Sequence, residues 1–128
     1  MTIVEWIERY RQAWQARDSE AAAALFTEDA TYRALIFEEP HHGRAGVAEY
    51  WRTVTEAQSE VHVRMGEPYG SDDRVAVEFW TNMKVGGEDV TLPGILLLEF
   101  SPEGLCRRLR EYWHYQPGAF DPPGEWGD

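Results

Sequence analysis

The sequence predicts an α+β domain in which helices from the first half pack on one face of a sheet built by the second half. Three observations carry this reading. Apolar residues recur at helical spacing through the first 26 residues, and the period then drops to two. In the second half, long apolar-rich runs are separated by short segments with turn chemistry.

Taken in order, Ile3, Trp6/Ile7, Tyr10 and Ala13/Trp14 share one helical face, with Glu5, Glu8, Arg9 and Arg11 on others. Asp18 or Ser19 caps a second, short helix that runs through the alanine-rich stretch to Leu25 and Phe26. From Ala30 to Ile36 the alternation puts Tyr32, Ala34 and Ile36 on one side of a strand and Thr31, Arg33 and Leu35 on the other. A loop from Phe37 to Gly43 leads to a third helix whose apolar stripe is Val47, Tyr50/Trp51 and Val54.

Strands follow near 60–70, 74–85, 89–101 and 105–115. Their joins are Gly70-Ser71-Asp72-Asp73, Gly86-Gly87 and Ser101-Pro102-Glu103-Gly104. Pro93 has no N–H to give a ladder, so it marks a bulge or a sheet-edge position. Long twisted strands curl, and helices laid across the concave side leave a pocket. Residues 1–115 read as one domain, without repeats, and 116–128 as a Pro/Gly-rich tail. Phe120 and Trp126 leave two readings of that tail, disordered or pinned by its aromatics.

Composition narrows the function classes. A net charge of −11 repels phosphate backbones and anionic headgroups, which argues against nucleic-acid and membrane partners. The single cysteine, Cys106, excludes an intrachain disulfide and fits a reducing compartment. It lies beside Arg107 and Arg108 with no base or resolving cysteine, so it reads as structural. No signal peptide precedes the first helix, and the longest apolar run, Gly94 to Leu98, is too short to span a bilayer; a cytoplasmic location is expected. His41, His42, His62 and His114 show no metal-ligand spacing. With no phosphate loop, nucleophile elbow, dinucleotide fingerprint or CxxC, neither metal nor cofactor is expected. Six Trp, six Tyr and five Phe are enough to line a cavity or an interface as well as to fill a core.

Three stretches carry a family resemblance. They are Arg9-Tyr10 through Ala-Leu-Phe to Thr27-Glu28-Asp29-Ala30-Thr31-Tyr32, then His42-Gly43-Arg44-Ala45-Gly46-Val47 through Tyr50-Trp51, and last Leu109-Arg110-Glu111-Tyr112-Trp113. In order and spacing they resemble SnoaL-like domains of the nuclear transport factor 2-like superfamily, over residues 3–115. The resemblance implies a conical, cystatin-like α+β barrel, an antiparallel sheet wrapped around the N-terminal helices, and usually a homodimer through the convex sheet face. Relatives include ketosteroid isomerases, polyketide cyclases, limonene-type epoxide hydrolases, dehydratases and non-catalytic binding proteins, so the fold does not choose the reaction.

Residue by residue, the resemblance places Tyr10 at the oxyanion-hole tyrosine of ketosteroid isomerase. That enzyme's base falls at Ala34, however, and its protonated aspartate near Leu96, which removes the proton acceptor. For the epoxide hydrolases, Tyr32 matches the water-positioning tyrosine and Glu111 the acid/base carboxylate. Their asparagine falls at Ala34, and their Arg and Asp near Phe79 and Thr81, or one residue over at Trp80 and Asn82. SnoaL-type cyclases need one carboxylate in an apolar cavity, a role open to Glu111.

Glu111 is the leading catalytic candidate on the residues alone. It shares a strand face with Leu109 and Trp113, where desolvation raises a carboxylate pKa. Arg107 is on that face but roughly 13 Å along the strand, out of pairing reach. Tyr10 and Tyr32 are hydroxyl donors to the same space. Trp6, Trp14, Ala34, His42, Trp51, Phe79, Leu96, Leu109 and Trp113 are the expected ligand contacts, His42 with His41 at the mouth. Trp80, Ile95, Leu97, Tyr112 and His114 fall on the convex face and would form the dimer contact. Two functions stay open. One is a cofactor-independent isomerase, cyclase or hydrolase acting on a small apolar carbonyl or polycyclic compound; the other is a non-catalytic ligand-binding or dimerisation module.

Overall fold

The structure, a computed structural model, describes residues 1–128. Helix α1 (Ile3–Ala16) begins with a capping box, in which Thr2 Oγ1 accepts from Glu5 N at 3.1 Å and Thr2 N donates to the Glu5 carboxylate at 3.4 Å. Its buried stripe is Trp6, Ile7, Tyr10, Ala13 and Trp14, as the spacing requires. Asp18 caps α2 (Ser19–Ala23) through Ala21 N at 3.0 Å. This helix is shorter than expected, because Leu25 and Phe26 leave it for the core and Phe26 opens β1 (Phe26–Arg33). The strand therefore starts four residues before the predicted Ala30, with a register shift between Phe26 and Thr31. It also ends early. Ala34 stays buried, but Leu35, Ile36 and Phe37 are carried out to solvent.

The remaining elements are β2 (His41–His42), α3 (Gly43–Thr55), β3 (Gln58–Met65), β4 (Tyr69–Ser71), β5 (Arg74–Val85), β6 (Glu88–Phe100), β7 (Cys106–Trp113) and β8 (Gln116–Pro117). The sheet order is β2-β1-β7-β6-β5-β3, with β4 on β5 and β8 on β6. Strands β3, β5, β6 and β7 form the antiparallel meander read from the turns. The sheet as a whole is mixed, not antiparallel as expected, because β1 pairs with β7 in parallel. Parallel neighbours need a long crossover, and here α3 and most of the meander supply it. The sheet curves around α1 and α3 without closing, so β2 and β3 remain edges.

Pro93 sits inside β6, opposite Trp80 of β5. Its carbonyl accepts from His114 N at 3.0 Å, just past the end of β7, so the missing N–H points to the gap between β7 and β8. That is a local edge within a central strand. Next to it, a Cβ on Gly94 would lie 2.6 Å from the Tyr112 carbonyl oxygen and would strike the Phe79 ring, so only glycine lets the ring pack against the strand.

The tail is pinned on the outer face of the sheet, chiefly by its backbone. Thr91 Oγ1 donates to Gly118 O at 2.8 Å and accepts from Phe120 N at 3.0 Å. Trp80 Nε1 and Asn82 Nδ2 each donate to Phe120 O at 3.0 Å, and Trp126 packs edge-on against Trp80 at 6.0 Å. The Phe120 ring itself stays half exposed. The face expected to make dimer contacts is thus partly covered by the chain's own end, leaving Ile95, Leu97 and Tyr112 as its apolar remainder. No helix is long and apolar enough to cross a membrane.

Candidate active site

Between α1, α3 and the concave sheet face lies a cavity of about 220 Å³, lined by 14 residues of which 11 are hydrophobic. Helix α1 contributes Tyr10 and Trp14, and β1 contributes Tyr32. Helix α3 adds Tyr50, Trp51, Val54 and Thr55, and β7 adds Glu111 and Trp113. Gln58, Met83, Val85, Leu92 and Tyr115 complete the wall.

Glu111 is its one ionisable carboxylate, and no Lys, Arg or His lines it. The side chain is 9% exposed. The alternation of β7 buries Leu109 and Glu111 together on the inner face, while Arg108, Arg110 and Tyr112 turn outward. Tyr32 OH donates to Glu111 Oε2 at 3.2 Å, and Tyr50 OH donates to Oε1 at 3.4 Å. The Tyr32 hydroxyl is in turn 3.0 Å from that of Tyr10. Since Tyr32 spends its proton on Glu111, Tyr10 donates to Tyr32 when the carboxylate is ionised.

Burial pushes the Glu111 carboxyl up to about 7, and the hydrogen bonds from Tyr32 and Tyr50 pull only part of the way back. The same burial, with the Glu111 charge next in effect, holds Tyr10, Tyr32 and Tyr50 well above the ordinary phenol range. Near neutrality, then, the phenols keep their protons while the carboxyl is divided between its two forms. Removing a donor has a fixed sign. Tyr32→Phe takes away the shorter hydrogen bond to the ionised form, so Glu111 should titrate higher than in the wild type, as read from the side-chain carboxyl carbon by NMR. An unchanged or lowered value would refute the assigned donor role.

The structure divides the residues singled out from the sequence into two groups. Tyr10, Tyr32, Glu111, Trp14, Trp51 and Trp113 line the cavity. Trp6, Phe79, Leu96 and Leu109 are on the correct inner faces but do not reach it; at 0% exposure they fill the solid core beyond. Trp6 stacks on the far face of Tyr10, at 5.2 Å and 17°. Ala34 is buried but does not line the cavity; its carbonyl accepts from Trp113 Nε1 at 3.1 Å and fixes that indole at the rim. His42 is exposed on the edge strand β2, and it is His41 that packs on Tyr50, at 4.5 Å. Tyr50, the second donor to Glu111, was visible in the stripe with Val47 and Val54, but nothing in that stripe marked it as different from a core residue. Cys106 fits its structural reading: burial pushes the thiol up to about 12.

The curved, unclosed sheet wrapped on helices is an α+β cone, with one carboxylate buried in the cavity between them. Residues 7–109 match the SnoaL-like domain family, and the chain belongs to it. No functionally curated protein shows significant sequence similarity to it. Among solved structures it is similar to a protein of ketosteroid isomerase-like fold from Catenulispora acidiphila, in complex with trimethylamine, with TM-score 0.77 and 22% identity over 87% of this chain and 86% of that one. It is also similar to SalBIII, an epoxide hydrolase/cyclase-like enzyme of pyran ring formation in salinomycin, with TM-score 0.77 and 22% identity over 90% and 95% of the two chains. A proposed polyketide cyclase from Xanthomonas campestris pv. campestris gives 0.74 and 20% over 87% and 89%. At these identities the likeness is one of fold.

Proposed function

We propose that the chain binds a small, largely apolar carbonyl compound in this cavity and that Glu111 moves a proton to and from it. One observation carries the reading: a carboxylate buried in an apolar cavity, hydrogen-bonded by two phenols and with no cation beside it, is poised near neutral pH. Ionised, Glu111 accepts a proton from the carbon next to the carbonyl. Protonated, it returns that proton to the enolate at another position, which is an isomerisation, or to the product of a ring closure. Tyr32 and Tyr50 hold the carboxylate in place, and the neutral phenols supply hydrogen bonds to charge without taking it up.

The volume limits the occupant. A cavity of about 150 Å³ accepts benzene, so about 220 Å³ suits one or two rings. Gln58 commits its Oε1 to Trp14 Nε1 at 3.1 Å, which leaves its NH2 group to orient a substrate oxygen. The test is hydrogen–deuterium exchange at the α-carbons of a small cyclic ketone, followed by NMR. Exchange should rise as pH passes through about 7, and Glu111→Gln should lower it by about 100-fold or more. Equal exchange by the two proteins, or a Glu111 that titrates in the ordinary carboxylate range, would overturn the proposal.

A further inference from the structure

Which small molecule the cavity prefers is written in its wall. Seven of the 14 lining residues are aromatic. Tyr10, Trp14 and Trp51 meet at steep angles: 81° between Tyr10 and Trp14, 85° between Tyr10 and Trp51, and 68° between Trp14 and Trp51. Their ring centroids are 5.4 to 6.4 Å apart. Three planes so arranged form the corner of a box. Trp6 stacks on one face of Tyr10, and the rest of the ring lies among Trp14, Trp51 and the cavity. The corner is also close to the carboxylate, since the Tyr10 hydroxyl is one hydrogen bond from Tyr32, and Tyr32 is one from Glu111.

Aliphatic walls would hold a neutral hydrocarbon equally well. Aromatic faces do something more, because their negative quadrupoles attract a cation within about 6 Å of the ring centre. Glu111 adds a full negative charge with no cation from the protein to balance it, and each of its oxygens keeps a lone pair beyond the one its tyrosine occupies. The net charge of −11 also raises the concentration of cations at the surface. We infer that the cavity selects a small tertiary or quaternary alkylammonium compound, its N-alkyl groups in the corner of Tyr10, Trp14 and Trp51 and its charge balanced by Glu111. The far wall of Val54, Met83, Val85 and Leu92 takes the rest of the molecule, and the Gln58 NH2 group takes an oxygen on it.

This inference rests on the reading of Glu111 as a buried, ionisable pocket group. It also sets a pH dependence, because the cation needs the ionised form. The titratable groups facing Glu111 are Tyr10 from α1, Tyr32 from β1 and Tyr50 from α3, with His41 of β2 stacked on Tyr50. The three phenols stay neutral across the range that matters, so Glu111 dominates the response.

Calorimetry with choline and with its uncharged isostere 3,3-dimethylbutan-1-ol separates charge from shape. At pH 8 choline should bind about tenfold tighter or more, the scale of a desolvated cation–π contact. Its advantage should shrink at pH 6 and in Glu111→Gln, where only the aromatic faces still favour the cation, and fall in Trp51→Leu while the alcohol still binds. The inference is overturned if the alcohol binds as tightly as choline at pH 8, or if neither binds. NMR titration of Glu111 on the same samples keeps the two proposals apart. A value near 7 without choline preference removes only the ammonium inference, whereas an ordinary carboxylate value removes the acid/base reading.

Discussion

Trp6→Ala should destabilise the fold by about 4 kcal/mol, within the range measured for large aromatic-to-alanine changes in cores. Trp6 is fully buried, stacked on Tyr10 and set edge-on against Phe26 at 5.8 Å and Phe100 at 5.4 Å. These partners belong to α1, β1 and β6, so the indole is packed where three elements meet and none of them can close alone on the void. The hydrogen bond from Nε1 to Leu25 O, at 2.8 Å, is a smaller part of the effect. That carbonyl also accepts from Cys106 N at 2.9 Å and would not be orphaned. Urea unfolding should show a lower midpoint with an unchanged slope, the signature of lost stability without a change in exposed surface. Trp6→Phe should keep most of the packing and lose about a third as much, in line with a smaller residual cavity. A Trp6→Ala loss of less than about 1.5 kcal/mol would mean that Tyr10, Phe26 and Phe100 collapse into the space. The same variant probes the site indirectly, because Trp6 backs the ring whose hydroxyl supports Tyr32.

What the sequence discloses follows from how local each feature is. Helix α1 is legible because its apolar stripe and its charges lie within one stretch of 14 residues and agree, although its Thr2–Glu5 cap is not read from the sequence. Strands β5 and β6 are legible because alternation persists over 12 and 13 residues between glycine-rich turns. The parallel pairing of β1 with β7 is not, since it joins segments some 80 residues apart and no local pattern encodes it. Nor is the pinned tail, whose hydrogen bonds come from backbone groups of a Pro/Gly-rich segment that carries no periodicity. In the site, Glu111 can be read from its place between Leu109 and Trp113. Which inner-face residues reach the cavity cannot be, because curvature decides it. Phe79 and Leu96 share the inner face with Met83 and Leu92, yet the first two end in solid core and the others in the cavity wall. Register fixes the face of a strand, and only the bending of the sheet fixes the depth.

The second large effect concerns the cost of keeping Glu111 where it is. Its carboxyl is raised from an ordinary value of 4.5 to about 7, so the folded chain binds this proton more tightly than the unfolded chain. Below about 4.5 both states are protonated and the burial carries no charge. Between about 4.5 and 7 the unfolded state is ionised while the folded state is not, so folding stability falls as pH rises. Above about 7 both are ionised, and the full penalty remains. Glu111→Gln keeps the shape and an oxygen for Tyr32 but removes the charge. Relative to wild type it should therefore gain about 3 kcal/mol of stability between pH 4.5 and pH 8, an order-of-magnitude figure at 1.36 kcal/mol per unit. The comparison between the two proteins matters, because the other carboxylates also shape the wild-type curve and cancel in the difference. Urea unfolding at a series of pH values gives both curves. If they run parallel, Glu111 is solvated in the folded state and loses its standing as a general base. If they diverge upward with pH, the fold is retaining an unfavourable charge in its cavity, which stability alone does not explain and which proton transfer or cation binding does.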